Sequence, residues 1–372
     1  MRRAVTNEKE GSSKGVIVFV VLLIIAGIAA GIWYMTKESN ERLSYNADET
    51  ITEASEVADV EEEPAVEEKS DIKIFNGDAR PVSFMIDNNV NAQPQASLNS
   101  AYCVYECIVE GKETRLMALF KDKDCDQVGP IRSARHYFVY LALEHDAIYS
   151  HLGLSPQADA AFQQFNVEHI NGQFYDTGKP RTSTSRFWRA THKNAPHNAY
   201  TNIPSILEIA KGSGWKLTSD KKSVLNYVSH EVELNDENSI VANDIVIPYS
   251  NTHKVEYKYD SNTGRYTRYS KGKLIKDEMT GEAVTTKNLI ITFAKNYDLK
   301  DGENKGRQEV EIVGTNKGYY ITNGRAIEIT CNKPSATEQT VYCKLDGSEI
   351  EVNDGNTWIN VCPIDADVTI TD

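Results

Sequence analysis

Arg132 and Arg135 stand three residues apart, just where Gly129-Pro130 gives way to a helical pattern. Their guanidinium groups therefore share a face at the positive end of a helix dipole, which is unfavourable unless an anion joins them. The anion is either a ligand or a carboxylate from a neighbouring strand, and Asp87, Glu106 and Glu110 are placed to supply one. Arg115 adds a third guanidinium on a strand, on the same face as Met117 and Leu119. The carboxylates also suggest acid–base work on a glycan. Glycosidase pairs stand about 5–9.5 Å apart, whereas Glu106 and Glu110 on one strand would lie roughly 13 Å apart. An enzyme would therefore use Glu106 or Asp87 as its acid, with a partner from another strand. A buried Glu106 paired with Arg115 or Arg132 explains the same residues without catalysis. His151 closes a strand, where ligands gather in open sheets and where a lone histidine also serves as a loop cap. The stretch RFWRATHKNAPHNAY concentrates Trp188, His192 and His197 and reads either as a binding loop or as an Ω-loop packed on its own aromatics.

These residues need elements to hold them. PVSFMIDNN, AYCVYECIVEG, TRLMALFKD and DAIYSHL read as strands ended by turn residues. Ala134, Phe138, Leu141 and Ala142 recur at helical spacing, and Ser155-Pro156 supplies an N-cap and a first-turn proline for QADAAFQQF. Strand, helix, strand, helix predicts a βαβ-type mixed α/β domain over 73–220. Beyond a helix near Pro204 to Lys211, short alternating segments separated by turns predict an antiparallel β-rich domain over 225–372. The fold class is thus α+β. Asp87, His151, Glu106, Arg115, Arg132 and Arg135 are expected to converge on one cleft flanked by Trp188 and His197, because a βαβ arrangement brings strand C-termini and helix N-termini to one edge.

Residues 16–35 carry no charge and, at about 1.5 Å per residue, span one bilayer as a helix. The run exceeds the apolar core of a signal peptide, and Trp33-Tyr34 suits a membrane interface. Arg2, Arg3, Lys9 and Lys14 keep residues 1–15 cytoplasmic under the positive-inside rule, placing the remainder outside. Residues 36–72 hold 13 acids against three bases and read as a disordered, self-repelling tether. The whole chain has 40 basic and 54 acidic residues, for a net charge of −14, which argues against a nucleic-acid partner. No His-Glu-x-x-His, phosphate-binding glycine loop, GxSxG or paired CxxC occurs, so no metal or cofactor is expected. The six cysteines read as buried thiols, with a bridge from Cys331 to Cys343 or Cys362 as the alternative.

The segments RPVSFMIDNN, VYECIVEGKETRLMALF, GPIRSAR, HDAIYSHLGLSP, FWR and APHNAYT, followed by IPYS, YKYD, GRYTRY and GNTWINVCP, occur in an order similar to that of the YerB-like family of predicted bacterial lipoproteins. The resemblance covers about residues 74–365. It implies an extracytoplasmic, membrane-tethered protein, mostly of Gram-positive bacteria, and no established reaction. Four departures stand out. No cysteine precedes Cys103, so the apolar helix takes the place of a lipid anchor, while Cys331 and His136 replace a usual Trp and Pro, and Gln93 replaces an Arg. The function expected is a cell-envelope protein binding an anionic wall polymer, a peptidoglycan fragment or a protein partner. The alternative is a cell-wall glycan-cleaving enzyme.

Overall fold

The strands β1 (Val82–Asp87), β2 (Cys103–Ile108), β3 (Thr114–Phe120) and β4 (Ile148–His151) are buried at every position, as strands covered on both faces must be. β1 runs antiparallel to β3 with Asp87 opposite Arg115, and β3 antiparallel to β2. β4 lies parallel to β1, and β5 (His169–Asn171) parallel to β4. Helix α1 (His136–Glu144) precedes β4, α2 (Pro156–Gln164) joins β4 to β5 as the expected βαβ unit, and α3 (Ile203–Gly212) follows later. The computed structural model describes residues 72–75 and 77–372. The expected cytoplasmic tail, the transmembrane helix at 16–35 and nearly all of the acidic tether lie outside the described residues. Among those described, no helix is long and apolar enough to cross a membrane.

Eleven strands form the main sheet. Its order is Val341–Lys344, Arg325–Lys333, Gly314–Thr322, Asn288–Ala294, Thr357–Pro363, β2, β3, β1, β4, β5, with Ile240–Val241 pairing Arg325–Lys333 off this path. Strands from 73–220 and from 225–372 therefore share one sheet, and one hydrophobic core draws on both segments. Thr357–Pro363 runs parallel to both β2 and Asn288–Ala294, which departs from the antiparallel arrangement expected for the second half. Turn dipeptides flag hairpins, but a strand that returns across the chain to a neighbour about 250 residues earlier leaves no local mark.

A second sheet of six strands runs Lys273–Leu274, Arg265–Ser270, Lys254–Asp260, Asp244–Pro248, Thr369–Thr371, with Thr285–Thr286 on Arg265–Ser270. Alternation along β2 sorts what covers each face. Tyr105 Oη donates to Glu144 Oε1 of α1 at 2.8 Å, while the next residue, Glu106, receives Arg268 Nη2 of the second sheet at 2.6 Å. Helices thus cover one face and the second sheet the other. Two buried ion pairs, Glu106–Arg268 and Glu144–Lys333 at 2.9 Å, join residues 162 and 189 positions apart.

All six cysteines are free thiols, five of them buried and Cys343 half-buried. In the register between Arg325–Lys333 and Val341–Lys344, Cys331 faces Tyr342 and Cys343 faces Thr330, so the two sulfurs point to opposite sides of the sheet. Cys362 lies three strands away from Cys331, roughly 14 Å at ordinary strand spacing, too far to bridge.

Candidate functional site

Helix α1 begins with Arg135 as an extended N-cap residue whose side chain makes no cap hydrogen bond. Helix α2 begins after Ser155, whose Oγ accepts from the Ala158 amide at 3.1 Å. Both caps line a single cleft of about 360 Å³, so two helix N-termini present the positive ends of their dipoles to it. β1 contributes Asp87 from its C-terminal end, β3 contributes Arg115, and the segment before α1 contributes Arg132. Glu110 and His197 complete the nearer wall, and a polar loop brings Lys305 and Arg307.

Glu110 is the pivot of the ion pairs. Its Oε1 accepts from Arg135 Nε at 2.6 Å and its Oε2 lies 3.8 Å from Arg115 Nη2. Arg115 Nη1 donates to the Ser133 carbonyl at 2.6 Å. Asp87 Oδ2 bonds His197 Nδ1 at 2.7 Å and stands 3.1 Å from Arg132 Nε. Lys305 and Arg307 are offset by Glu303 and Asp301, at 2.7 Å and 2.5 Å. The excess of positive charge therefore falls on Arg115, Arg132 and Arg135. Glu113, a third carboxylate on the wall, is taken by Lys271 Nζ at 2.9 Å and His253 Nδ1 at 3.2 Å, so three guanidinium groups share Glu110 and Asp87, the second of which also holds an imidazole. Burial, and then the charge of Arg135, push Arg115 down to about 10, with Arg132 adding to the effect and Glu110 opposing it. Burial alone would raise Glu110, but the hydrogen bond and charge of Arg135 and the charge of Arg115 outweigh it and hold this carboxyl below its ordinary value. An anion entering the cleft would relieve the mutual repulsion of the arginines.

Of the residues expected to converge, Asp87, Arg115, Arg132, Arg135 and His197 line the cleft. Glu106, His151 and Trp188 do not. Glu106 is fully buried beneath the sheet, held by Arg268, by Thr114 Oγ1 at 2.6 Å and by His253 Nε2 at 3.3 Å. Burial pushes its carboxyl up, yet the Arg268 charge and the His253 bond bring it below the ordinary value. A general acid needs the opposite shift. His151 is buried between the Gly153 carbonyl, 2.7 Å from Nδ1, and His169 Nδ1, 2.9 Å from Nε2, and it stacks on Phe162. Trp188 is 3% exposed, covered by the Arg181 guanidinium at 4.5 Å and stacked on Tyr200. The aromatic stretch is thus a hairpin, Phe187–Arg189 against Ala199–Thr201, packed on its own rings, and only His197 of its tip reaches the cleft. Lys305 and Arg307 escape sequence reasoning because DGENKGRQ reads as a solvated turn. Among the described residues no group of three or more His, Cys, Asp or Glu could hold a metal ion.

Comparison with known proteins gives a consistent pattern. Residues 69–216 match the N-terminal domain, and residues 245–359 the C-terminal domain, of a protein of unknown function designated DUF3048. A protein of Bacillus subtilis (strain 168) described as "Putative lipoprotein YerB" is 32% identical over 287 residues, covering 76% of this chain and 81% of that one. The crystal structure of the YerB protein from Bacillus subtilis superposes with a TM-score of 0.68 at 31% identity, covering 81% of this chain and 97% of that chain.

Proposed function

Since the chain belongs to the YerB-like family, built from the two DUF3048 domains, we propose that it works at the cell envelope, outside the cytoplasmic membrane, and holds an anionic ligand in the arginine cleft. The lipoprotein name of its relative and the apolar run at 16–35 support the location. One observation carries the binding reading: Arg115, Arg132 and Arg135 crowd two carboxylates at two helix N-termini on the wall of an open cleft. An anion wins there because it meets donors already desolvated and oriented. The ligand class is an anionic wall polymer, a peptidoglycan fragment or an acidic protein segment. Equilibrium binding of the purified chain to isolated wall polymer, to peptidoglycan and to inorganic phosphate tests the reading. Saturable binding that weakens in Arg132→Ala at unchanged melting temperature supports it, and no binding to any of the three sinks it. Protease added to wall-less cells should digest the folded part, whereas complete protection would place it inside.

The Asp87–His197 pair gives the enzymatic reading its foothold, since a carboxylate-oriented imidazole facing a cleft can move a proton. Asp87 itself accepts from His197, with Arg132 beside it, and so acts as an orienting group. Mass spectrometry of peptidoglycan incubated with the chain distinguishes the readings: new muropeptides that vanish in His197→Ala would make the protein an enzyme.

A further inference from the structure

His197 lines two cavities. Beyond the arginine cleft it borders a second space of about 550 Å³ walled by Val90, Asn91, Pro94, His192 and Asn194. Unlike the first, this cavity offers no free charge. The Lys193 ammonium is committed to Glu278 at 2.7 Å, Tyr200 Oη at 2.6 Å and the carbonyls of Ala92 and Pro94 at 3.0 and 2.5 Å. His192 Nε2 is likewise 2.9 Å from Glu278 Oε1. What remains is the amide side chains of Asn91 and Asn194, which are exposed, and of Gln93, which is half-buried, beside the apolar surfaces of Val90 and Pro94. Amides that both donate and accept, set against apolar patches, suit a neutral, hydroxyl-rich unit.

Resting on the anion-binding reading of the arginine cleft, we infer that the ligand is a phosphodiester-linked polyol or sugar chain laid across His197, a phosphate in the arginine cleft and an uncharged hydroxylated unit in the neighbouring cavity. A phosphate suits the first cavity better than a carboxylate. One bidentate guanidinium satisfies a planar carboxylate, whereas here three guanidinium groups, Arg115 from β3 and Arg132 and Arg135 from the start of α1, surround one space.

The experiment uses the purified full chain and titrates inorganic phosphate, glycerol phosphate and poly(glycerol phosphate) oligomers, with oligothymidylate and oligoglutamate of matched charge as competitors. Occupying both cavities should make glycerol phosphate and its oligomers bind about tenfold or more tighter than inorganic phosphate. Asn194→Asp places a negative charge in the second cavity while its backbone carbonyl still accepts from the His197 amide. That variant should erase the gain over inorganic phosphate and leave inorganic phosphate binding in place, whereas Arg132→Ala should weaken both. Glycerol phosphate and its oligomers no tighter than inorganic phosphate, or a gain that survives Asn194→Asp, overturns the two-cavity inference while leaving the anion reading standing. Equal binding of oligothymidylate or oligoglutamate overturns the ligand class. No binding of any phosphate compound overturns the inference and the reading beneath it together.

Discussion

Arginine side chains in this protein stand in two different settings, and burial with partner count tells them apart. Arg268 is 1% exposed and spends its guanidinium on Glu106 at 2.6 Å, with Trp358 beneath it at 4.4 Å. Removing the partner of such a buried cation leaves an uncompensated charge, so Glu106→Gln should cost about 3–5 kcal/mol of stability. Chemical denaturation of the variant beside the parent checks this; a variant as stable as the parent would mean that the Arg268 site is not the interlock described. Arg132, by contrast, has a side chain 27% exposed on the cleft wall and stands beside a carboxylate that His197 also holds. Arg132→Ala should therefore weaken anion binding by about 1.5–3 kcal/mol, the worth of a charge-assisted contact, with little change in melting temperature. A large thermal loss with binding intact would identify the cluster as an internal ion-pair network instead.

At the scale of elements, the ends of α1 and β4 carry histidines that the fold keeps neutral. His145, just past α1, accepts or donates to Tyr102 Oη at 3.0 Å and Tyr105 Oη at 2.8 Å. Burial lowers it to about 4, with Lys333 and Lys221 adding and Glu144 opposing. Burial likewise lowers His151 to about 3, the Gly153 carbonyl opposing and His169 adding. For a depressed histidine the unfolded chain binds the extra proton, so stability is complete above the unfolded value near 6.5 and falls as pH drops toward the folded one. By pH 5 each histidine should have withdrawn about 2 kcal/mol. Urea midpoints compared at pH 7 and pH 5 measure it, and replacing His151 by Asn should flatten part of the slope. A midpoint that does not move would show that both imidazoles charge without cost in the folded protein.

The main sheet is held together by the last strand to join it. Thr357–Pro363 is fully buried and pairs with β2 on one side and Asn288–Ala294 on the other, so the main sheet closes only once this strand is in place. A chain ending at residue 350 should leave two central strand edges unpaired and fail to unfold cooperatively, because unpaired buried backbone groups each carry a substantial cost. A single sharp thermal transition in that truncation would show that the sheet is stable without its middle.

Much of the local structure was legible in the residues: β1 to β4 as strands, Ser155-Pro156 as a helix start, α3 near Pro204, and the arginine pair at the start of α1. Alternation, helical spacing and capping act between residues a few positions apart, and so they write themselves into short stretches of sequence. The pairing of Asp87 with Arg132 and His197 was within reach for the same reason, since strand ends and helix starts meet at one edge of a parallel unit. Other outcomes depended on partners far along the chain. Glu106 became structural because Arg268 arrives from the second sheet and His253 from the turn between two of its strands, Trp188 was hidden by Arg181 and Tyr200, and Lys305 and Arg307 reached the cleft from a loop that looks like solvent-facing turn. Each rests on which surfaces meet once the core has closed, and the free energy of burying a charge or a ring is set by that meeting rather than by the residues beside it in sequence.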